Sequence, residues 1–500
     1  MPPVGSPVHT PASPDKDTAA LAKGGRQNFG GFVLRLAARI PFLIIAGRLY
    51  GAESLGRFAS ALVVVELAAL LASLGEKRGL AQRLSNDDEV NSTNLVWEVM
   101  LLALVLSGAA AALLWLFPVP LFPSGEFTHL DRLIVLAIPA FALTEILLAA
   151  QAYRFDILTA VRARAIVESW TISIMAGVFW LLPTTRESGL SLAYLASIYA
   201  GLLAALIPFL RTYGLPTGLA TSPASLARTL TRAAPLAAAD AIEWGTRRLD
   251  IFVLGLFVSP GVVGIYYGAQ MVASLPQKLK TSFEPILGPV VTRTLRLGDL
   301  AAVARHVSQV GFWIIAAQTG IALALGISGD AVMGLLGGNF AGGNGALAFL
   351  LLAEVAAATA VVSEAVLIYV ARVRNLAVSI ATIVLQGALT VGLILMFRRA
   401  GYTETTQAAG AAIALVLALG FASVVKARML SRLLGRRVNA LRWSLVWAAA
   451  PAAALGMAVT PLPEWIELAF GVPAILAIYG WVIWKLGFGP EDRALFRLKG

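Results

Sequence analysis

The stretch "GGFVLRLAARIPFLIIAGRLYGAESLGRFASALVVVELAALLASLG", Gly30 to Gly75, decides the fold. It holds parts of two apolar runs, 29–49 and 55–75. Each is close to the roughly twenty residues that a helix needs to cross a hydrocarbon core. A membrane strand would instead alternate apolar and polar residues over about ten positions, and neither run does. Further apolar segments follow at 94–116, 130–152, 161–182, 190–211, 233–257, 262–291, 307–328, 345–370, 375–397, 405–425, 443–460 and 465–486. Breakers such as Pro118, Pro120 and Pro123, or the glycine-rich run Gly337 to Gly345, separate them. The segment 262–291 contains Pro276, Pro285 and Pro289 with Lys278 and Lys280, so a bend or split is expected there. The expected fold class is an all-α integral membrane protein of about 14 transmembrane helices.

Composition agrees. Apolar residues make up 58% of the chain and charged residues 13%, against about 25% charged in a soluble domain. The chain has no cysteine, which excludes disulfides, thiolate metal sites and a cysteine nucleophile. Its three histidines, His9, His129 and His306, are far apart and show no ligand spacing, so no metal and no resident cofactor is expected. Residues 1–23 lack an apolar period and read as a disordered cytoplasmic tail rather than a cleaved signal.

The net charge of +11 is explained by topology. With the N-terminus in the cytoplasm, 27 Lys and Arg fall in cytoplasmic segments and three, Arg186, Arg398 and Arg399, in the opposite loops. That bias fits the positive-inside rule with both termini cytoplasmic. No nucleic-acid partner is needed. The external loops are too short to hide a soluble domain.

A shift of 208 positions aligns Arg39 with Arg247, Gly47 with Gly255, Gly56 with Gly264, Ala61 with Ala269 and Val64 with Val272, without a gap. Phe58 meets Tyr266 in the same register. Six helices separate the copies, so both keep the same orientation. The expected arrangement is two parallel six-helix bundles about an axis along the membrane normal. The chain then divides into the tail 1–23, a bundle 24–212, a cytoplasmic linker 213–231, and a bundle 232–428. A basic loop 429–442 and two additional helices with a short tail, 443–500, complete it.

Charge inside a span costs about 2.5–3.5 kcal/mol on insertion scales, so such residues face protein or water. Arg35 and Arg39 share a face of the first helix at i, i+4. Asp240, Glu243, Arg247 and Asp250 fall in one sector of the seventh, with Arg248 off that stripe. Pairing between helices would explain any one of these charges as a packing feature. Arginines at matched depth in two homologous helices also suit an anionic ligand held between the bundles, since guanidinium meets phosphate oxygens bidentately. The acids Asp240, Glu243 and Asp250, with Glu66 as a further cavity candidate, would hold the arginines in an empty cavity or take up a coupling proton or cation such as sodium.

The stretch quoted above resembles the opening of bacterial polysaccharide transporters. These are the O-antigen and exopolysaccharide repeat-unit flippases of the superfamily that includes MATE exporters and the lipid II flippase. "RRLDIFVLGLFVSPGVVGIYYGAQMVASLP", Arg247 to Pro276, is similar to that family's seventh and eighth helices. The resemblance spans about residues 25–490. It implies a V-shaped central cavity between the bundles, alternating access, and a polyprenyl diphosphate-linked oligosaccharide as substrate. It also implies diphosphate binding by Arg35 and Arg39, which Arg247 would join from the second bundle, and no covalent chemistry. Membrane lipids, and a polysaccharide polymerase with glycosyltransferases, are the expected partners. Two rivals stand beside it. A MATE-like multidrug exporter would favour an acidic cavity. A membrane-embedded polymerase or glycosyltransferase would be expected to need a large external loop or an acidic metal motif, and neither is visible.

Overall fold

The computed structural model describes residues 40–85, 89–218, 223–281, 290–291, 293–295, 297–490 and 492–493, and every regular element among them is helical. Arg35 and Arg39 lie outside the described residues. The first described helix, α1, covers 40–50, and α2 is Gly51–Ala72. Gly51, at φ +79° and ψ 177°, breaks the run between them. The Phe42 and Phe58 ring centroids are 6.3 Å apart, whereas sixteen residues of straight helix would place them about 24 Å apart. The chain therefore folds back at Gly51, and two helices stand within the apolar stretch Ile40–Ala72.

A short amphipathic helix, α3 (Glu76–Leu84), follows, burying Leu80 and Leu84 one turn apart. Next come α4 (Glu89–Leu116), α5 (Asp131–Tyr153), α6 (157–181, with the turns Val161–Glu168 widened to π geometry) and α7 (Gly189–Tyr213). The second set is α8 (Pro223–Gly255), α9 (Pro260–Thr281), α10 (Leu300–Ile327), α11 (Asn344–Val370), α12 (Arg372–Arg399) and α13 (Glu404–Leu434). Two more, α14 (Trp443–Val459) and α15 (Glu464–Gly487), end the described chain.

Nine stretches among the described residues are long and apolar enough to cross a membrane, and the chain is a multi-pass membrane protein. Helix α14 is apolar but shorter, and α6, α8 and α9 are not among the nine. Length and apolarity thus do not by themselves fix the expected count of about fourteen. Of the prolines behind the bend expected within 262–291, Pro276 lies within α9, and Pro285 and Pro289 lie outside the described residues.

The two sets meet through glycine. A Cβ added to Gly56 would lie 1.7 Å from the Pro260 carbonyl oxygen, and one on Gly264 would lie 1.8 Å from that of Ala52. Both residue pairs, 56 with 264 and 52 with 260, are separated by the 208 positions of the sequence repeat. Each copy therefore makes the same contact with the other, as expected where a twofold axis passes between them. Small residues permit such close approach in a membrane, where helix association depends on packing.

The opposite end of α2 is also closed. Leu74 and Gly75 both take left-handed backbone conformations, φ +61° and +64°, at the bend into α3. A Cβ on Gly75 would come 2.4 Å from Cβ of Leu236 in α8, and one on Gly79 would meet the same leucine at 2.6 Å. The halves thus touch at both ends of α2.

The final helices dock on α10. Phe312 and Phe488 pack edge to face with centroids 5.8 Å apart, and the Arg442 guanidinium lies 3.9 Å from the centre of the Phe312 ring. Asp492 accepts from Arg442 at 2.6 Å, from Trp313 Nε1 at 2.9 Å and from the Gln309 amide at 3.3 Å.

Candidate functional site

The charged seam is built on α2, α8 and α9. Trp244 of α8 donates its indole N–H to the Val63 carbonyl of α2 at 3.1 Å, fixing the separation of the two helices. One turn on, Arg248 Nε meets Glu66 Oε2 at 3.2 Å, an ion pair joining the halves. The side chains retain 21% and 19% of their exposure, so the pair is largely desolvated.

Arg248 Nη1 also donates to the Gln270 carbonyl oxygen on α9 at 3.1 Å. The amide nitrogen of Gln270 donates to Asp250 at 3.1 Å, which sets the orientation of the amide. Asp250 is fully buried and also accepts from Tyr266 Oη at 2.6 Å and from the Ile251 N–H at 2.9 Å. Both of its oxygens are therefore occupied by donors.

A second cluster lies within the first half. Arg164 of α6 bridges Glu145 of α5 and Glu168 of its own helix, the latter at 2.7 Å, with its guanidinium 4.7 Å from the Phe141 ring centre. Phe58 packs edge-on to Tyr194 and Tyr267, with centroids at 5.8 and 6.5 Å.

The seventh-helix stripe divides into two environments. Arg247 and Glu243 pair with each other along α8 at 2.9 Å and keep 47% and 42% exposure. Asp240 and Asp250 are buried. Glu66 of α2 joins Asp250 through Arg248 and Gln270, so the structure brings these two acids into one network. Arg35 and Arg39 have no described position.

Arg248 was passed over in the sequence because it lies off the stripe. Its partner was the missing signal: Glu66 is the acid on α2 that faces it. Two of the 27 basic residues read as cytoplasmic form ion pairs between helices. One is Arg164. The other is Lys426 of α13, 4% exposed and 2.9 Å from Glu364 of α11. Among the described residues, no group of three or more metal-ligating side chains converges.

Two packed sets of helices with a charged seam between them define the class, a MOP-type transporter fold. Solved structures share it: the lipid II flippase MurJ in an inward closed conformation (TM-score 0.71, 11% identity, 91% of this chain and 99% of that one). An inward-facing multidrug resistance MATE family transporter gives 0.63 at 14% identity, over 80% and 98%. A MOP superfamily transporter from Pyrococcus furiosus gives 0.54 at 12%, over 85% and 96%. At these identities the likeness is one of fold. Residues 36–295, more than half of the chain, match the polysaccharide biosynthesis protein family, and the chain belongs to that family. No curated protein matches it.

Proposed function

We propose that the chain is an alternating-access flippase carrying a polyprenyl diphosphate-linked oligosaccharide across the bacterial inner membrane for surface polysaccharide synthesis. The observation that carries this reading is the seam. Charged side chains are concentrated where the halves meet, so parting the halves exposes them to a ligand. Family membership supplies the polysaccharide context.

In this reading 24–212 and 232–428 are the moving bodies, joined by the linker 213–231. The basic loop 429–442 leads to the additional helices in 443–500, and both termini are cytoplasmic. Arg35, Arg39 and Arg247 take the diphosphate, the sugar occupies the cavity, and the prenyl tail stays in lipid. Protonation or cation binding at Asp240 or Glu243 resets the cycle. Asp250, already holding three donors, positions Gln270. The protein performs no covalent chemistry. It hands its cargo to a polymerase after glycosyltransferases have built it.

Replacing Arg39 and Arg247 together with Ala, at matched expression, should abolish surface polysaccharide; wild-type polymer would sink the diphosphate role. One observation favours a cation-coupled exporter as the second reading. The acids Glu66, Glu145, Glu168, Asp240, Glu243 and Asp250 outnumber Arg164, Arg247 and Arg248 among the described groups. A deletion strain separates the readings: loss of surface glycan supports the flippase, whereas drug hypersensitivity with normal glycan supports the exporter.

A further inference from the structure

We propose that Arg248 is a further and stronger ligand of the substrate's diphosphate when the halves part, and that Glu66 is its resident stand-in in the closed state. This rests on the anionic-substrate reading above and adds to it a residue and a competition.

Arg164, Arg247 and Arg248 differ in what opening would do to them. Arg164 is held by Glu145 and Glu168, both in the first half, and keeps them however the halves move. Arg247 is paired with Glu243 on its own helix and also keeps its partner. Arg248 alone of the three has a carboxylate partner contributed by the other half, Glu66 at 3.2 Å.

Its remaining contact belongs to its own half and is rigid. Gln270 presents its carbonyl oxygen to Nη1 at 3.1 Å because its amide nitrogen is engaged by Asp250. Asp250 is in turn fixed by Tyr266 and the backbone of Ile251. Parting α2 from α8 would therefore remove the carboxylate that bridges to this guanidinium from the other half, leaving it the neutral Gln270 acceptor with Asp250 behind that amide. A guanidinium that has lost its bridging carboxylate is left with an unfilled donor edge, and an incoming anion can occupy it. A diphosphate offers oxygens that match the guanidinium fork better than a single carboxylate does. A cationic drug offers nothing to this residue.

The competition is directly measurable. The probe is farnesyl diphosphate, titrated into the purified full-length protein in nanodiscs, with inorganic pyrophosphate and farnesol in parallel arms. Glu66→Gln keeps the shape and an acceptor for Nε while removing the competing charge. It should tighten farnesyl diphosphate binding about tenfold, the size of one charge-assisted hydrogen bond. Arg248→Gln should weaken binding at least tenfold, and more than Arg247→Gln does. Should Arg248→Gln fail to fold, Arg248→Lys retains the charge without the fork and should weaken binding by a smaller factor at an unchanged melting temperature.

Unchanged binding in Glu66→Gln, or an Arg247→Gln loss equal to that of Arg248→Gln, overturns the assignment of Arg248 and leaves the flippase reading standing. Wild-type binding by Arg248→Lys overturns the role of the fork. Absence of farnesyl diphosphate binding in both wild type and Glu66→Gln overturns the anionic-substrate reading itself. Equal binding of pyrophosphate shows a free phosphate source and overturns the lipid-linked one.

Discussion

Asp492 illustrates how a single carboxylate can hold a large element in place. It is 3% exposed and gathers Arg442, Trp313 and Gln309, so it pins the segment after α15 to α10 and to the start of α14. Burial raises its pKa, but the hydrogen bonds from Arg442, the Gly489 N–H and Trp313 outweigh burial and hold it below the ordinary carboxyl value. A carboxyl with a lowered folded-state pKa stabilises the fold fully above the unfolded value of about 3.9, and this contribution fades as pH falls through the lower folded value. Asp492→Asn should therefore cost about 1.5–3 kcal/mol at neutral pH, the worth of a hydrogen bond to a charged group. The gap in thermal midpoint between wild type and variant should narrow below about pH 4. A gap that is constant from pH 7 to pH 3 would contradict the assignment.

At the scale of helices, the contact of α2 with α9 makes the sharpest demand on sequence. Gly56→Ala places a methyl group 1.7 Å from the Pro260 carbonyl oxygen, which neither backbone can accommodate without moving. The helices must separate, at a cost of about 1–3 kcal/mol for overpacking. Because the chain has no native cysteine, a single Ser60→Cys reporter near the same seam reads that separation. It should react faster with a membrane-impermeant maleimide in the Gly56→Ala background. Equal rates would show that the crossing survives the added methyl. The same scale explains what the sequence could not reveal. Helical periodicity placed Asp240, Glu243, Arg247 and Asp250 together, because an angle about one axis is all that a lone helix supplies. Which of them meets a partner depends on neighbouring helices, and α2 and α9 divide the stripe by engaging Arg248 and Asp250 while Arg247 stays exposed.

For the whole molecule, the basic-residue bias requires that residues after α15 and the loop before α14 lie on the same side of the membrane. A fluorescent protein fused after Gly500 should fold and fluoresce in a bacterial host, whereas alkaline phosphatase at the same point should be inactive. The reverse result would invert the topology. The helical membrane class was legible because bilayer thickness sets a length that apolar runs must meet. The turn at Gly51 was legible as a gap between runs, and the repeat as matched glycines. The ion pairs were not, since Arg164 and Lys426 sit close enough to helix ends to read as cytoplasmic charges. Only their partners, Glu145, Glu168 and Glu364, place them inside the bundle.

The mirrored contact of Gly56 with Pro260 and Gly264 with Ala52 also bears on ancestry. A six-helix ancestor pairing with its own copy would have met this steric limit at one codon, and one glycine would have satisfied both sides. If the chain arose by fusion of two such copies, that codon became two. Each can now mutate alone, yet the opposing backbone leaves neither room for a side chain. The helices around them are free to diverge into unlike halves, while this one point of the old dimer interface must stay symmetrical.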